Sequence, residues 1–92
     1  MATVEGHRVP DWGIGQTHVR LEPGEYAREV DGDGRLVHWW CRPPNAVSGS
    51  GVLDNHEVTE HADGTISVRP SILMHGEGAW HGFLERGVWR DA

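Results

Sequence analysis

The stretch EYAREVDGDGRLVHWWC, residues 25–41, decides the fold class. Two runs of strand-forming residues flank the Asp-Gly-Asp-Gly sequence at 31–34, and an Asp-Gly pair between such runs is a strong hairpin signal because glycine readily adopts positive φ. We therefore predict a strand, a tight turn and a second strand that returns antiparallel to the first.

The same form occurs twice more along the chain. HEVTEHADGTISVRP turns around Asp63-Gly64, and AWHGFLERGVWRDA turns around Arg86-Gly87. No segment repeats its apolar residues with the 3.6-residue period of a helix. The pattern predicts an all-β fold, a small antiparallel sandwich or rolled sheet of about six or seven strands built from hairpins, the seventh at His18–Glu22.

The remaining segments complete one domain over residues 1–92. Residues 1–20 are predicted to be irregular or to cover an open face of the sheet through Trp12 and Ile14, with the β core in residues 21–92. Composition predicts loops at Pro43–Asn55 and Met74–Trp80, since both stretches are rich in glycine.

Size and composition limit the function classes. The chain has 92 residues, five tryptophans and one cysteine, so it can form no internal disulfide and a reducing compartment is indicated. Large buried indoles would supply much of the core of so small a domain. No run resembles a signal peptide or a membrane span, and we expect a soluble, cytoplasmic protein without membrane contact.

The charge balance is acidic. Fourteen carboxylates outweigh eight arginines, giving a net charge of −6. This argues against nucleic-acid binding, which depends on neutralising phosphates. It favours a solubilising surface and is compatible with a basic protein partner. Mimicry of nucleic acid would suit a block of acids better than the dispersed carboxylates of this chain.

Alternation along the strands predicts which side chains share a face. Both faces of the 35–41 strand are apolar, so this strand is predicted to be central and covered on both sides. In the later strands, His56 should share a face with Val58, and His81 should share an inward face with Phe83. In the 35–41 strand, one face carries Val37, Trp39 and Cys41, and the other carries Leu36, His38 and Trp40.

These faces suggest a metal site. Cys41, His56 and His81 would converge from three strands, and one thiolate with two imidazoles suits Zn²⁺. His75 is the best additional ligand, and His38 is the next. The alternative is a cysteine that packs as a small hydrophobe and histidines that are hydrogen-bonded, since no compact Cys-x-x-Cys or His-x-x-x-His pair is present.

Two further interpretations concern binding and catalysis. Trp12, Trp39 or Trp40 could form an aromatic platform for a sugar or a base, although core packing is the simpler role in a small domain. Ser48, Ser50 or Ser71 could be paired with a histidine as a nucleophile, but nothing here resembles a nucleophile elbow or an ordered triad.

The segment HWWC…NHEV…ISVRPSILMHGEGAWHGFLERGVW, within residues 35–90, resembles a family of small, uncharacterised proteins of tailed phages and bacteria. Members run from an aromatic strand into Cys-x-x-Cys-Gly-x-x-His, then Pro-Ser-Ile and Cys-His-x-Phe stretches. Pro70-Ser71-Ile72 and His81-Gly82-Phe83 match that pattern here. Pro43 and Trp80 stand where cysteines would be expected, so the resemblance implies a zinc site reduced to Cys41, His56 and His81.

Three functions follow from these observations. The first is a small phage-type protein in the host cytoplasm that acts by protein–protein contact, modulating a host or defence component. The second is a zinc-dependent hydrolase with Glu57 or Glu77 as the general base for a metal-bound water. The third is a homo-oligomeric structural protein of a phage particle, since exposed edge strands invite pairing.

Overall fold

The structure is a computed structural model that describes residues 3–13, 21–44, 50–74 and 79–92. None of these residues belongs to a helix long and apolar enough to cross a membrane. The strands are β1 (Thr3–Glu5), β2 (His7–Arg8), β3 (Trp12–Gly13), β4 (Glu25–Val30), β5 (Leu36–Cys41), β6 (Gly51–Val52), β7 (Glu57–Glu60), β8 (Ile66–Met74), β9 (Trp80–Glu85) and β10 (Val88–Asp91).

These strands form two sheets that pack face to face. The first sheet has the order β1-β10-β9-β8-β7 and is antiparallel throughout. The second has the order β2-β4-β5-β6, with β3 also paired to β4, and only β2 and β3 run parallel to their neighbour. The predicted all-β sandwich of hairpins is confirmed.

All three predicted hairpins are present, as β4–β5, β7–β8 and β9–β10. Glycine occupies the left-handed region at each turn, with φ of 80° at Gly34, 88° at Gly64 and 76° at Gly87. Arg86, at φ 46°, precedes Gly87, so both central residues of that two-residue turn have positive φ, as a type I′ turn requires.

Residues 3–13, predicted to be irregular or to cover an open face of the sheet, contain three short strands, and Trp12 packs beside Trp40 on one face of the second sheet. Strand β6 lies inside the predicted Pro43–Asn55 loop. Of the predicted strand at His18–Glu22, residues 18–20 lie outside the described residues, and Leu21 and Glu22 are not in a strand. Strands of two or three residues are too short to show an alternating pattern, so sequence could not indicate them.

The core fills the space between the sheets. Trp80 and Trp89 pack edge to face with ring centroids 5.4 Å apart, and Trp89 Nε1 donates a hydrogen bond to the carbonyl oxygen of Gly24 at 2.9 Å. The buried indoles therefore supply core volume while their N–H groups keep partners. The core comprises Tyr26, Trp39, Cys41, Leu53, Ile66, Val68, Ile72, Trp80, Leu84 and Trp89.

An ion cluster closes one side of the sandwich. Arg28 in β4 donates two hydrogen bonds to Asp11, at 3.2 and 2.6 Å. Arg8 in β2 donates a hydrogen bond to Glu60 in β7. The guanidinium carbons of Arg8 and Arg28 lie 5.2 and 6.0 Å from the ring centroid of Trp39. Because Glu60 belongs to the first sheet, this cluster joins the two sheets at the edge of the core.

Candidate functional site

Strand β5 sends its two adjacent tryptophans to opposite sides of the second sheet. Trp39 is 7% exposed and Cys41 is fully buried, both in the core, whereas Trp40 is half-buried on the outer face. The strand lies between β4 and β6, so its predicted central position is confirmed, but the predicted cover on both faces is wrong, since Trp40 is only half-buried and Leu36 is exposed. A bulge opposite Glu29 and Val30 interrupts the alternation at the start of β5, so the predicted faces hold only from His38 onward.

The outer face of the second sheet carries an aromatic pair. Trp12 in β3 lies with its ring centroid 6.1 Å from that of Trp40, at an interplanar angle of 45°. Val52 in β6 stands opposite Trp40 in the strand register and is 42% exposed. We call this surface the indole face, made of Trp12, Glu29, His38, Trp40, Val52 and Asp54.

Acidic groups accompany the aromatic rings. Glu29 accepts a hydrogen bond from Trp40 Nε1 at 2.9 Å, and Asp54 lies 2.8 Å from His38 Nδ1. The His38 ring meets Trp40 edge-on, with centroids 6.5 Å apart. Arg42, the cation that directly follows β5, donates to the carbonyl oxygen of Leu21. Half-exposed indoles beside carboxylates form an environment that attracts a cation by both ring and charge.

The predicted metal ligand Cys41 lies in the core. It is fully buried, and burial raises the pKa of its thiol to about 12. The thiol is therefore protonated at neutral pH, while metal binding and nucleophilic attack both need the thiolate. In this arrangement Cys41 acts as a small apolar core residue.

The two predicted histidine ligands both contact Ser71. His56 precedes β7, and its Nε2 lies 3.1 Å from the Ser71 carbonyl oxygen, so that nitrogen is the donor. Its Nδ1 is buried and has no hydrogen-bond partner among the described residues. His81 is exposed, with its Nε2 at 3.0 Å from the Ser71 hydroxyl.

The inward face predicted for β9 is wrong. Trp80, Gly82 and Leu84 are buried, whereas His81 is exposed and Phe83 is half-buried on the outer face beneath Arg90. The reason is the close approach at Gly82, where an added Cβ would stand 2.5 Å from the Trp80 ring. Gly82 therefore occupies an inward position, whereas the sequence pattern predicted that its neighbours His81 and Phe83 would point inward.

The described donors do not fit a closed zinc site. No three His, Cys, Asp or Glu side chains among residues 3–13, 21–44, 50–74 and 79–92 gather as a metal would require. His75 and Glu77 lie outside the described residues, and Glu57 is exposed on β7. The zinc site remains a prediction from sequence, and no chemical step can be derived through it here.

Ser71 and His81 form a hydrogen-bonded pair of the kind seen in nucleophilic catalysis. In a working triad a carboxylate orients the histidine, which in turn activates the serine. No hydrogen bond described in this structure links a carboxylate to His81. The pair alone therefore gives no basis for a hydrolytic activity.

Comparisons with known protein families, with curated proteins and with solved structures gave no match to this chain. The function must therefore be argued from the site. Of the three tryptophans considered for an aromatic platform, Trp12 and Trp40 lie on this face and Trp39 lies in the core, and the carboxylates of Glu29 and Asp54 were not predicted. Alternation is the signal that indicates Glu29, since Glu29 pairs with His38 in the strand register and so shares a face with Trp40; Asp54 lies in a turn, where no such signal exists.

Proposed function

We propose that this protein acts by binding another protein through the indole face, and that the partner presents arginine or lysine side chains there. The contact between Trp12 and Trp40 on the outside of the sandwich is the observation that carries this proposal. In small β domains large aromatic rings are normally buried, and an aromatic surface rimmed by polar groups is typical of interaction sites.

The chemistry of the partner follows from charge. Glu29 is hydrogen-bonded to Trp40, Asp54 is hydrogen-bonded to His38 beside Trp40, and the whole chain carries a net charge of −6. A guanidinium or ammonium group could stack on an indole and pair with a carboxylate at the same time. An acidic surface also accelerates encounter with a basic partner at low ionic strength.

The geometry supports a binding role over pairing of edge strands. The edge strand β6 has two residues, and β7 has four, two of which are Glu57 and Glu60. Short, charged edges discourage strand addition, so a homo-oligomer built on these edges is disfavoured. The resemblance to phage proteins implies that the partner is a host or phage protein. In that case this protein would modulate a host component by binding to it.

The proposal is tested by affinity capture from a bacterial lysate followed by calorimetry with the purified partner. The wild-type chain is compared with Trp40→Ala and with Val88→Ala, an apolar residue that is 39% exposed on the opposite sheet. We expect Trp40→Ala to weaken binding at least tenfold, as for an aromatic hot spot, and Val88→Ala to leave it unchanged. We also expect affinity to fall as salt rises.

The opposite result is equally clear. Capture of a partner that binds Trp40→Ala as tightly as the wild-type chain, with no dependence on salt, would exclude the indole face as the interface. An acidic partner would contradict the charge argument even if binding did require Trp40.

A further inference from the structure

A groove lies on the outer side of the first sheet, whereas the indole face belongs to the second sheet. Strands β8 and β9 pair from Val68 to Leu84 and again from Ile72 to Gly82. Between these pairs β8 has three residues and β9 has one, so β8 bulges away from its neighbour. The resulting groove, which we call the bulge groove, is lined by Arg69, Pro70, Ser71, Phe83, Glu85 and Arg90, among others.

The floor of the groove is apolar. Phe83 points outward from β9, and Pro70 lies in the bulge beside it. The guanidinium carbon of Arg90 lies over the Phe83 ring, 4.7 Å from its centroid. A planar apolar group entering the groove would therefore meet Pro70 and Phe83, with a positive charge above the Phe83 ring.

The charge of the groove is opposite to that of the chain. Arg69 and Arg90 line it together with one carboxylate, Glu85. Arg69 is exposed, and although Glu57 faces it in the strand register, no ion pair within 4.0 Å joins Arg69 to any described carboxylate. A pair of guanidinium groups is the donor set that proteins use most for binding carboxylates.

We propose that the bulge groove binds a small aromatic carboxylate. The ring packs against Pro70 and Phe83, and the carboxylate pairs with Arg69 and Arg90. A concave, mainly apolar site with a few polar groups that fix orientation is the usual form of a small-molecule site. This inference is independent of the indole face, because the two surfaces belong to different sheets.

The test is a titration of the ¹⁵N-labelled protein with 3-phenylpropionate, followed by amide chemical shifts. The uncharged match is 3-phenylpropionamide. We expect saturable shifts at Ser71 and Phe83 with the carboxylate at millimolar concentration, and much smaller shifts with the amide. Arg69→Gln should weaken binding about tenfold, since it removes one charge-assisted contact.

Glu85→Gln is the matched control, because it removes a negative charge from the groove where Arg69→Gln removes a positive one. It removes the negative charge at the groove, so we expect binding about threefold tighter. Arg69 and Glu85 are both exposed, so both variants should unfold at the wild-type temperature. Equal binding of acid and amide, shifts confined to another surface, an absence of saturation, or tight binding only to an acidic peptide would each overturn the proposal.

Discussion

The two neighbouring tryptophans of β5 should respond very differently to truncation. Trp39 is 7% exposed and packs in the core beneath Arg8 and Arg28. Replacing a buried tryptophan by alanine removes apolar contact and leaves a cavity, at a cost of about 3–5 kcal/mol. Because small domains are stable by about 5–15 kcal/mol, Trp39→Ala will leave the chain close to unfolding.

Trp40→Ala should cost far less. The indole loses one hydrogen bond, to Glu29, and two ring contacts, with Trp12 and with His38. The hydrogen bond contributes about 1 kcal/mol and an aromatic pair about 0.5–1.5 kcal/mol, and the ring is only half-buried. We therefore expect a loss of about 1–2 kcal/mol, below the cost of Trp39→Ala by at least about 1 kcal/mol.

Urea denaturation followed by far-UV circular dichroism measures this difference, since tryptophan fluorescence changes with the substitution itself. With a slope of about 1 kcal/mol per molar urea, a loss of 3 kcal/mol lowers the midpoint by about 3 M. Trp39→Phe serves as a milder variant if Trp39→Ala does not fold. A Trp40→Ala midpoint as low as that of Trp39→Ala would refute the assignment of the two indoles to opposite faces.

Four other outcomes follow from the structure. Cys41 should resist thiol reagents at neutral pH in the folded chain, and rapid labelling of the folded protein would contradict this. Because burial raises the pKa of the thiol from 9.0 to about 12, the contribution of Cys41 to stability should fall as pH rises through that range. Cys41→Ala should not show this loss. Gly82→Ala should lower the free energy of unfolding by about 3 kcal/mol, because the added Cβ would stand 2.3 Å from the Arg90 carbonyl oxygen. Gly32→Ala is the control: its Cβ meets nothing within 4 Å, so the free energy of unfolding should change by less than about 0.5 kcal/mol. The hydrogen bond from Arg28 holds the pKa of Asp11 below 3.8. Ionised Asp11 therefore stabilises the fold above that pH, and the stabilisation is lost as pH falls through the folded-state pKa. Asp11→Asn should flatten this acid dependence of the melting temperature, and an unchanged profile would count against the role of the ion cluster. Chelation with EDTA tests the predicted zinc site: stoichiometric zinc whose removal lowers the melting temperature would support it and require the described donors to rearrange or residues outside the described ranges to supply ligands, and an unchanged melting temperature with no zinc in the untreated protein would count against it.

Local signals predicted the hairpins well. The Asp-Gly and Arg-Gly pairs need only neighbouring residues to act, since positive φ at Gly34, Gly64 and Gly87 sets each turn. The same local alternation placed Trp39 and Cys41 on one side of β5 and Trp40 on the other. Those side chains lie in a regular part of the strand, where the period of two holds.

Sequence failed where the arrangement depends on distant residues. The faces of β9 were exchanged because Gly82 gives no apolar signal, although the Trp80 ring occupies the space that its missing side chain leaves. His56 lies before β7, so alternation along that strand did not apply to it. The predicted ligand trio rested on both of these assignments.

The indole face could not be predicted from local sequence patterns either. Trp12 reaches Trp40 because β3 pairs in parallel with β4, and β3 is a segment of two residues with no pattern of its own. The pairing of so short a strand is decided by packing in the folded chain, since the segment forms no stable element alone. Sequence supplied the residue types, and only the fold brings them together.

The indole N–H signals of the five tryptophans offer the most direct test of the proposed binding surface. In a ¹⁵N spectrum, an arginine-rich peptide should shift the signals of Trp12 and Trp40 and leave those of Trp39, Trp80 and Trp89 in place, and a glutamate-rich peptide of equal length should shift none. Shifts at the three core indoles alone, or equal shifts with both peptides, would contradict a cation-binding aromatic surface on the second sheet.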